Sequence, residues 1–286
     1  MTKATLVSSI CILATAGLAL ASAPVVYAPD VADVQEECCE EPAYELRTVF
    51  VQPEGASSEG TGKAHGRVVF EGEVPIPSEL SISEAQSKGC RDDGSKVDAK
   101  AYSLLIGADK GVANAVVMIT LPVAEGAQPE KMRVPEKPIV LDQAQCRFTH
   151  RVVLVPVGAT LEFRNSDSVP HNVHVYAMKN KAFNRTLMGG ASLEVKVDKA
   201  EAIQIKCDIH PWMASYVYVT DTNYAALTDE HGAFEIPGLP AGIYTAKVWH
   251  EKLGKSEVQI MIGADGASEA VELAMKAKVK RSRRRR

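Results

Sequence analysis

Apolar residues between Arg67 and Ile262 come in short runs, often alternating with polar ones, and Gly, Pro, Asn or Asp closes each run. A strand shows its two faces in alternation and needs only about four to eight residues, so this pattern predicts strands. They fall at Arg67–Phe70, Ala113–Leu121, Ile139–Leu141, Val152–Pro156, Thr160–Arg164, Asn172–Tyr176, Leu193–Val197, Ala202–Lys206 and Ser215–Thr220. The β-branched content and turn punctuation predict an all-β sandwich or barrel. Residues 78–100 are polar and have room for one short helix.

A second unit is predicted from residue 222 to 275. Ala225–Thr228 leads into the turn Asp229-Glu230-His231-Gly232, then Phe234–Ile236, then Leu239-Pro240-Ala241-Gly242, then the strands Tyr244–Trp249 and Val258–Ile262. Antiparallel strands joined by Gly and Pro turns make a small β-sandwich. Through Leu227-Thr228-Asp229, Gly232-Ala233-Phe234 and Leu239-Pro240-Ala241-Gly242-Ile243-Tyr244 this stretch resembles the carboxypeptidase regulatory-like, transthyretin-like domains.

The ends of the chain differ in character from its middle. Lys3, the apolar run Leu6–Leu20 and the small residues Ala19, Ala21, Ala23 and Ala28 have the layout of a secretory signal. Cleavage after Ala21 is favoured because later sites run into Pro24 or Pro29, with Ala28 as the late alternative. The apolar run is too short to span a bilayer, and no internal stretch approaches that length. Residues 29–62 read as an acidic, disordered linker, and 63–221 as the first folded domain.

The formal net charge of -4 hides an asymmetry. Residues 30–60 hold nine acids against Arg47 alone, while 276–286 hold eight bases and no acid. The body is nearly balanced, which argues against a nucleic-acid partner; only the basic tail offers contact with an anionic surface.

Six cysteines sharpen the picture. Cys11 leaves with the signal, so an odd number remains, and one of them is expected to have a task other than a disulfide. Cys90 and Cys146 are the two non-ligand cysteines of the folded domain and are expected to pair, since export permits oxidation. Cys38 and Cys39 sit side by side in the linker.

The segment Cys207-Asp208-Ile209-His210-Pro211-Trp212-Met213 follows one predicted strand and precedes another. A thiolate, an imidazole and a thioether at three-residue steps on one tight loop can converge on a single ion, and two His, one Cys and a weak axial Met suit copper in both oxidation states. The second imidazole comes from His171, in Asn165-Ser166-Asp167-Ser168-Val169-Pro170-His171-Asn172-Val173-His174. His174 is three residues along the same strand, faces the other way, and is read as a surface or packing residue. His150 is not read as a ligand, and Trp249-His250-Glu251-Lys252 is read as a strand end and turn.

From about Val157 to Thr220, and more loosely back to His65, the sequence resembles the blue-copper cupredoxins of the amicyanin and plastocyanin type. The spacing of Cys207, His210 and Met213 and the stretch Pro170-His171-Asn172-Val173-His174 carry the resemblance. It implies a Greek-key sandwich with one copper ion, His171, Cys207 and His210 as equatorial ligands and Met213 as the axial one. It further implies that the backbone of Asn172 hydrogen-bonds the Cys207 sulfur.

Absences narrow the options. A binuclear site of the oxidase type needs a Cys where Ile203 stands, and a trinuclear cluster needs His at Lys206 and Asp208. Zinc would want a stronger fourth ligand than Met. The expectation is therefore an exported, non-enzymatic carrier of single electrons, serving a redox partner such as a c-type cytochrome or dehydrogenase, with Pro211 and Trp212 flanking an exposed His210 edge as the docking patch. A copper carrier or store, and a cell-surface binding module for carbohydrate or protein, are the alternatives.

Overall fold

The computed structural model describes residues 62–277, apart from 77–78, 92–93, 99 and 124–129. The expected signal, nearly all of the acidic linker, Cys11, Cys38 and Cys39, and the basic tail from residue 278 lie outside the described residues. Within them the chain is nearly all β, as its alternating pattern predicts. The one helix described, α1 (Glu84–Ser87), falls inside the polar stretch 78–100 and starts at Ser83, whose side chain accepts from the Gln86 N–H. No described helix is long and apolar enough to cross a membrane.

The strands are β1 (Gly62–Phe70), β2 (Val116–Ile119), β3 (Ile139–Ala144), β4 (Arg147–Phe148), β5 (Val152–Pro156), β6 (Thr160–Asn165), β7 (His171–Tyr176), β8 (Phe183–Leu187), β9 (Ser192–Lys196), β10 (Glu201–Lys206) and β11 (Ala214–Thr220). They continue as β12 (Tyr224–Leu227), β13 (Ala233–Leu239), β14 (Gly242–His250), β15 (Gly254–Ile262) and β16 (Val271–Met275). Every predicted strand is present. Three were not predicted: β4 is a two-residue stub, β8 is a polar edge strand with little apolar pattern to announce it, and β16 pairs with a strand about 200 residues earlier.

A sheet in the order β5-β11-β10-β7-β8 faces one in the order β4-β3-β6-β9. Between them Val153, Val155, Leu141, Leu161, Phe163, Val173, Ile203, Ile205, Val217 and Val219 form one core. A second pair of sheets, β13-β1-β16 and β12-β2-β14-β15, encloses Val68, Phe70, Val117, Ile119, Phe234, Ile236, Val248, Ile260 and Leu273.

This pairing redraws the expected boundary at residue 221. β1 lies antiparallel to β13 and parallel to β16, and β2 is flanked by β12 and β14. The segments 62–70 and 116–119 therefore belong to the second sandwich, and the looser resemblance back to His65 does not reach the first. The reason is burial. Ala64, Val68 and Phe70 need apolar partners on one face, and the C-terminal strands supply them.

The second sandwich also explains its own turn residues. Gly232 has φ +73°, and a Cβ there would meet the Val68 carbonyl oxygen at 2.2 Å. The Asp229 carboxylate accepts from the N–H groups of His231 and Ala233 at 2.9 and 2.8 Å, closing the turn. The Tyr244 hydroxyl donates to the Pro240 carbonyl at 2.9 Å.

A smaller apolar cluster of Val116, Val152, Leu154, Leu227 and Trp249 joins the outer face of β5 and β11 to the β2–β14 sheet. This is why β5 reads Val-Val-Leu-Val-Pro without alternation: both of its faces are covered. Arg151 and Glu251 form an ion pair beside it, with Arg151 Nη2 2.6 Å from a Glu251 carboxylate oxygen and Nη1 donating to the Ala214 carbonyl at 2.8 Å.

Candidate metal centre

His171 opens β7 and Cys207 follows β10, neighbouring antiparallel strands whose ends meet at one edge of the first sandwich. His171, Val173 and Val175 point inward along β7, while Asn172, His174 and Tyr176 face the other way. The loop after β10 is tied by two backbone bonds, Cys207 N–H to the Met213 carbonyl at 3.1 Å and Met213 N–H to the His210 carbonyl at 2.9 Å. Those bonds return His210 and Met213 to the place where Cys207 enters.

The result is a convergence of His171, Cys207 and His210, all buried, with their donor atoms within 4.8 Å of one another. The two Nδ1 atoms face each other at 2.9 Å, and the Cys207 sulfur is 3.9 Å from His210 Nδ1. Two donors bound to one ion at about 2.0 and 2.3 Å stand at most about 4.3 Å apart, so these separations fit a single ion. Met213 is buried in the same core cluster. Met178 and Met188 stand at 94% and 63% exposure and are not alternatives for the axial place.

Electrostatics prepare the donors. Burial pushes the Cys207 thiol up, but hydrogen bonds from His171 and His210 and from the Asn172 and His210 N–H groups outweigh it and bring the thiol down to about 6. Asn172 N–H lies 3.2 Å from the sulfur, as the family resemblance implies. Burial opposes the charged form of His171 as well; the Asp167 carboxylate and the Cys207 sulfur overcome it and raise its pKa.

In the sequence Asp167 stands only as one member of the stretch Asn165–His174. In the structure its Oδ2 meets His171 Nε2 at 2.7 Å, which leaves Nδ1 as the inward-facing lone pair. The same carboxylate accepts from the N–H groups of Gln145 and Cys146 at 2.5 and 2.8 Å. Those two residues have φ of 54° and 53°, the left-handed pair of a two-residue hairpin between β3 and β4, and Asp167 holds them there. Two further residues escaped the sequence reading. Gln143, fully buried, donates to the Asn172 carbonyl at 3.0 Å. Asn165 donates to the carbonyls of Val169 and Leu187 and accepts from the Asp167 N–H, fixing the 165–171 loop. No motif marks these three: some of their partners are remote in sequence, as with Gln143 and Asn172 or Asp167 and Cys146, and the near ones meet only once the 165–171 loop is folded.

Cys90 and Cys146 are joined, as expected. The bridge closes a loop 56 residues long, a constraint on the unfolded chain that contributes about 2–4 kcal/mol. It also lies against the site, with His210 Nε2 3.8 Å from the Cys90 sulfur and 3.9 Å from the Cys146 sulfur.

The expected docking patch is corrected at Trp212. The indole is 7% exposed, packs in the core cluster beside His210, and donates from Nε1 to the Cys146 carbonyl at 3.0 Å. A large apolar side chain with a polar tip is buried where that tip finds a partner. His210 itself is 5% exposed, its outer edge covered by the disulfide and the indole, while Pro211 and Ile209 reach solvent. His174 faces away from the centre, as expected, and contacts the Asp208 carboxylate at 3.0 Å. His150 is not among the residues that converge. His250, the other buried histidine of interest, accepts at Nδ1 from the N–H groups of Lys252 and Leu253 and is structural, in keeping with its reading as a turn residue.

No protein-family model matches the chain, and no curated protein matches it in sequence. Among solved structures it is similar to a copper-containing nitrite reductase from Thermus scotoductus SA-01, at 25% identity and a TM-score of 0.29 over 36% of this chain and 26% of that one. It thus spans about a quarter of the reductase's length. A purple cupredoxin from Nitrosopumilus maritimus is 29% identical with a TM-score of 0.24, over 26% of this chain and 82% of that one. A reduced mutant of amicyanin is 24% identical with a TM-score of 0.28, over 36% of this chain and 98% of that one.

Proposed function

We propose that this protein is an exported carrier of single electrons, with one copper ion held by His171, Cys207, His210 and Met213 in the first sandwich. The observation that carries the reading is the convergence of two imidazole Nδ1 atoms and one thiol with a depressed pKa, all buried, within 4.8 Å. Copper bound there would pass between Cu(I) and Cu(II) and so move one electron at a time. The chain's own part is to hold the donors still. Asp167 fixes the His171 ring, the Asn172 N–H steadies the sulfur, and burial of the three donor residues excludes water. A site that changes little between oxidation states suits rapid exchange.

The same rigidity speaks against the carrier or storage alternative, which needs a site that opens; here the loop is pinned by backbone bonds and roofed by a disulfide. Docking falls to the exposed Pro211 and Ile209 rather than to the indole, with a c-type cytochrome or dehydrogenase as the partner class. The second sandwich is read as a regulatory-like domain on the strength of its closed Asp229 and Pro240 turns, and the basic tail as a contact for an anionic surface.

An optical spectrum of the copper-loaded protein tests the reading. A strong visible thiolate-to-copper band that bleaches with reductant, and is lost in Cys207→Ser and His171→Ala, is expected; a colourless one-copper protein would overturn it.

A further inference from the structure

His210 offers one nitrogen to the centre described above and turns the other toward a second set of donors. Its Nε2 stands at nearly equal distances, 3.8 and 3.9 Å, from the sulfurs of Cys90 and Cys146, and all three residues are buried. For a disulfide that only closes a loop, any apolar neighbour would serve. The near-equal distances follow from the sulfurs being bonded to each other; what the geometry adds is that, once that bond is reduced and the sulfurs part, two thiols and one imidazole nitrogen, all buried, stand close enough to bind one ion at metal–sulfur and metal–nitrogen bonds of about 2.3 and 2.0 Å. A carboxylate also stands near, because Asp167, His171 and Cys146 offer ligand atoms within 4.8 Å of one another. The hairpin that presents Cys146 is held in its left-handed conformation by Asp167, so this half of the cluster is fixed in advance.

We propose that Cys90, Cys146 and His210 Nε2 form a second metal site, closed while the disulfide is intact and opened by a dithiol to take a soft, thiophilic ion such as Cu(I). The chemistry balances in two steps. A dithiol reduces the Cys90–Cys146 bond, leaving two thiols and becoming a disulfide itself. The ion then displaces the two thiol protons, and where the first centre is also filled it displaces the Nε2 proton of the shared His210, all released to solvent. Soft sulfur ligands select Cu(I) over harder ions, and the three donors are enough for it. Thiol redox state would thereby set how many ions the first sandwich holds. The inference shares His210 with the proposed electron-transfer centre but does not depend on that centre being blue.

The experiment is a Cu(I) titration against a competing chelator under anaerobic conditions, on the full exported chain with Cys38→Ser and Cys39→Ser to silence the linker thiols. The oxidised protein is expected to take one equivalent, and the same protein after dithiol treatment and removal of the dithiol to take two, with a thiol count rising from one to three. Cys90→Ser with Cys146→Ser should return the count to one equivalent whatever the redox treatment. One equivalent in the reduced protein, a disulfide that resists the dithiol while the protein is folded, or a second equivalent that survives the double substitution would each overturn the proposal. Failure of the electron-transfer reading looks different: the oxidised protein would then lack the visible band, while the redox-dependent second equivalent remained.

Discussion

The backbone N–H of Asn172 points at the sulfur of Cys207 across 3.2 Å, while the Asn172 carbonyl accepts from the buried Gln143 amide. One peptide strand thus clips the two loops of the candidate metal centre together. An N–H aimed at a thiolate withdraws electron density from it, and without that bond the sulfur donates more strongly and favours Cu(II). Asn172→Pro should therefore lower the reduction potential with copper retained, whereas Asn172→Ala, which keeps the N–H, should leave it nearly unchanged. Protein-film voltammetry on both variants checks this, and equal potentials would remove the bond from the account.

Asp167→Ala removes the carboxylate that orients His171 and restrains the Cys146 turn. Loss of such a partner weakens metal affinity by about 10–100-fold. Chelator competition should show that drop. Asp167→Asn, which can still accept from His171, should recover part of it.

Met213→Gln places a harder oxygen in the axial position and should lower the potential while copper stays bound. Met178→Leu and Met188→Leu, at exposed positions, should move neither quantity. Voltammetry of the three variants discriminates: a shift in either control would reassign the axial ligand.

Burial of Trp212 converts a docking expectation into a stability expectation. Trp212→Ala opens a cavity beside His210 and strands the Cys146 carbonyl, at a cost of about 3–5 kcal/mol in chemical denaturation. Exchange with a c-type cytochrome should respond instead to Pro211→Asp, which alters the solvent-facing patch and should slow stopped-flow electron transfer without moving the visible band.

His250 supplies a pH signature. Burial pushes its imidazole down to about 4, with the Arg151 and Lys252 charges adding to the effect. Between about 6.5 and 4 the unfolded chain takes up a proton that the folded one refuses, so stability falls as the pH drops through that window, by about 3 kcal/mol at its lower end. In His250→Gln this loss is absent. Urea unfolding at neutral pH and near the lower limit should show the stability gap between the two proteins narrowing with acid, and a constant gap would mean that the imidazole is not held neutral.

The chain's own pattern determined a great deal. Alternation and turn residues placed the predicted strands within a few residues of their observed positions, and the spacing from Cys207 to Met213 pointed to three candidate ligands, because a tight loop after a strand brings such residues together whatever surrounds it. His171 was legible for a similar reason: it stands immediately before the predicted strand Asn172–Tyr176. The pairing of Cys90 with Cys146 followed from the two remaining cysteines of the folded domain. Contacts that join remote segments were decided only by the tertiary structure. β1 looked like the start of the first domain, yet its apolar face is buried against strands beyond residue 230, and local pattern carries no record of which partner covers a strand. Trp212 looked like a surface anchor because sequence does not show that the Cys146 carbonyl is waiting for its N–H. Asp167 had the appearance of a loop residue. Only folding brings His171, Gln145 and Cys146 within reach of its carboxylate, and only folding sets the disulfide against the outer edge of His210.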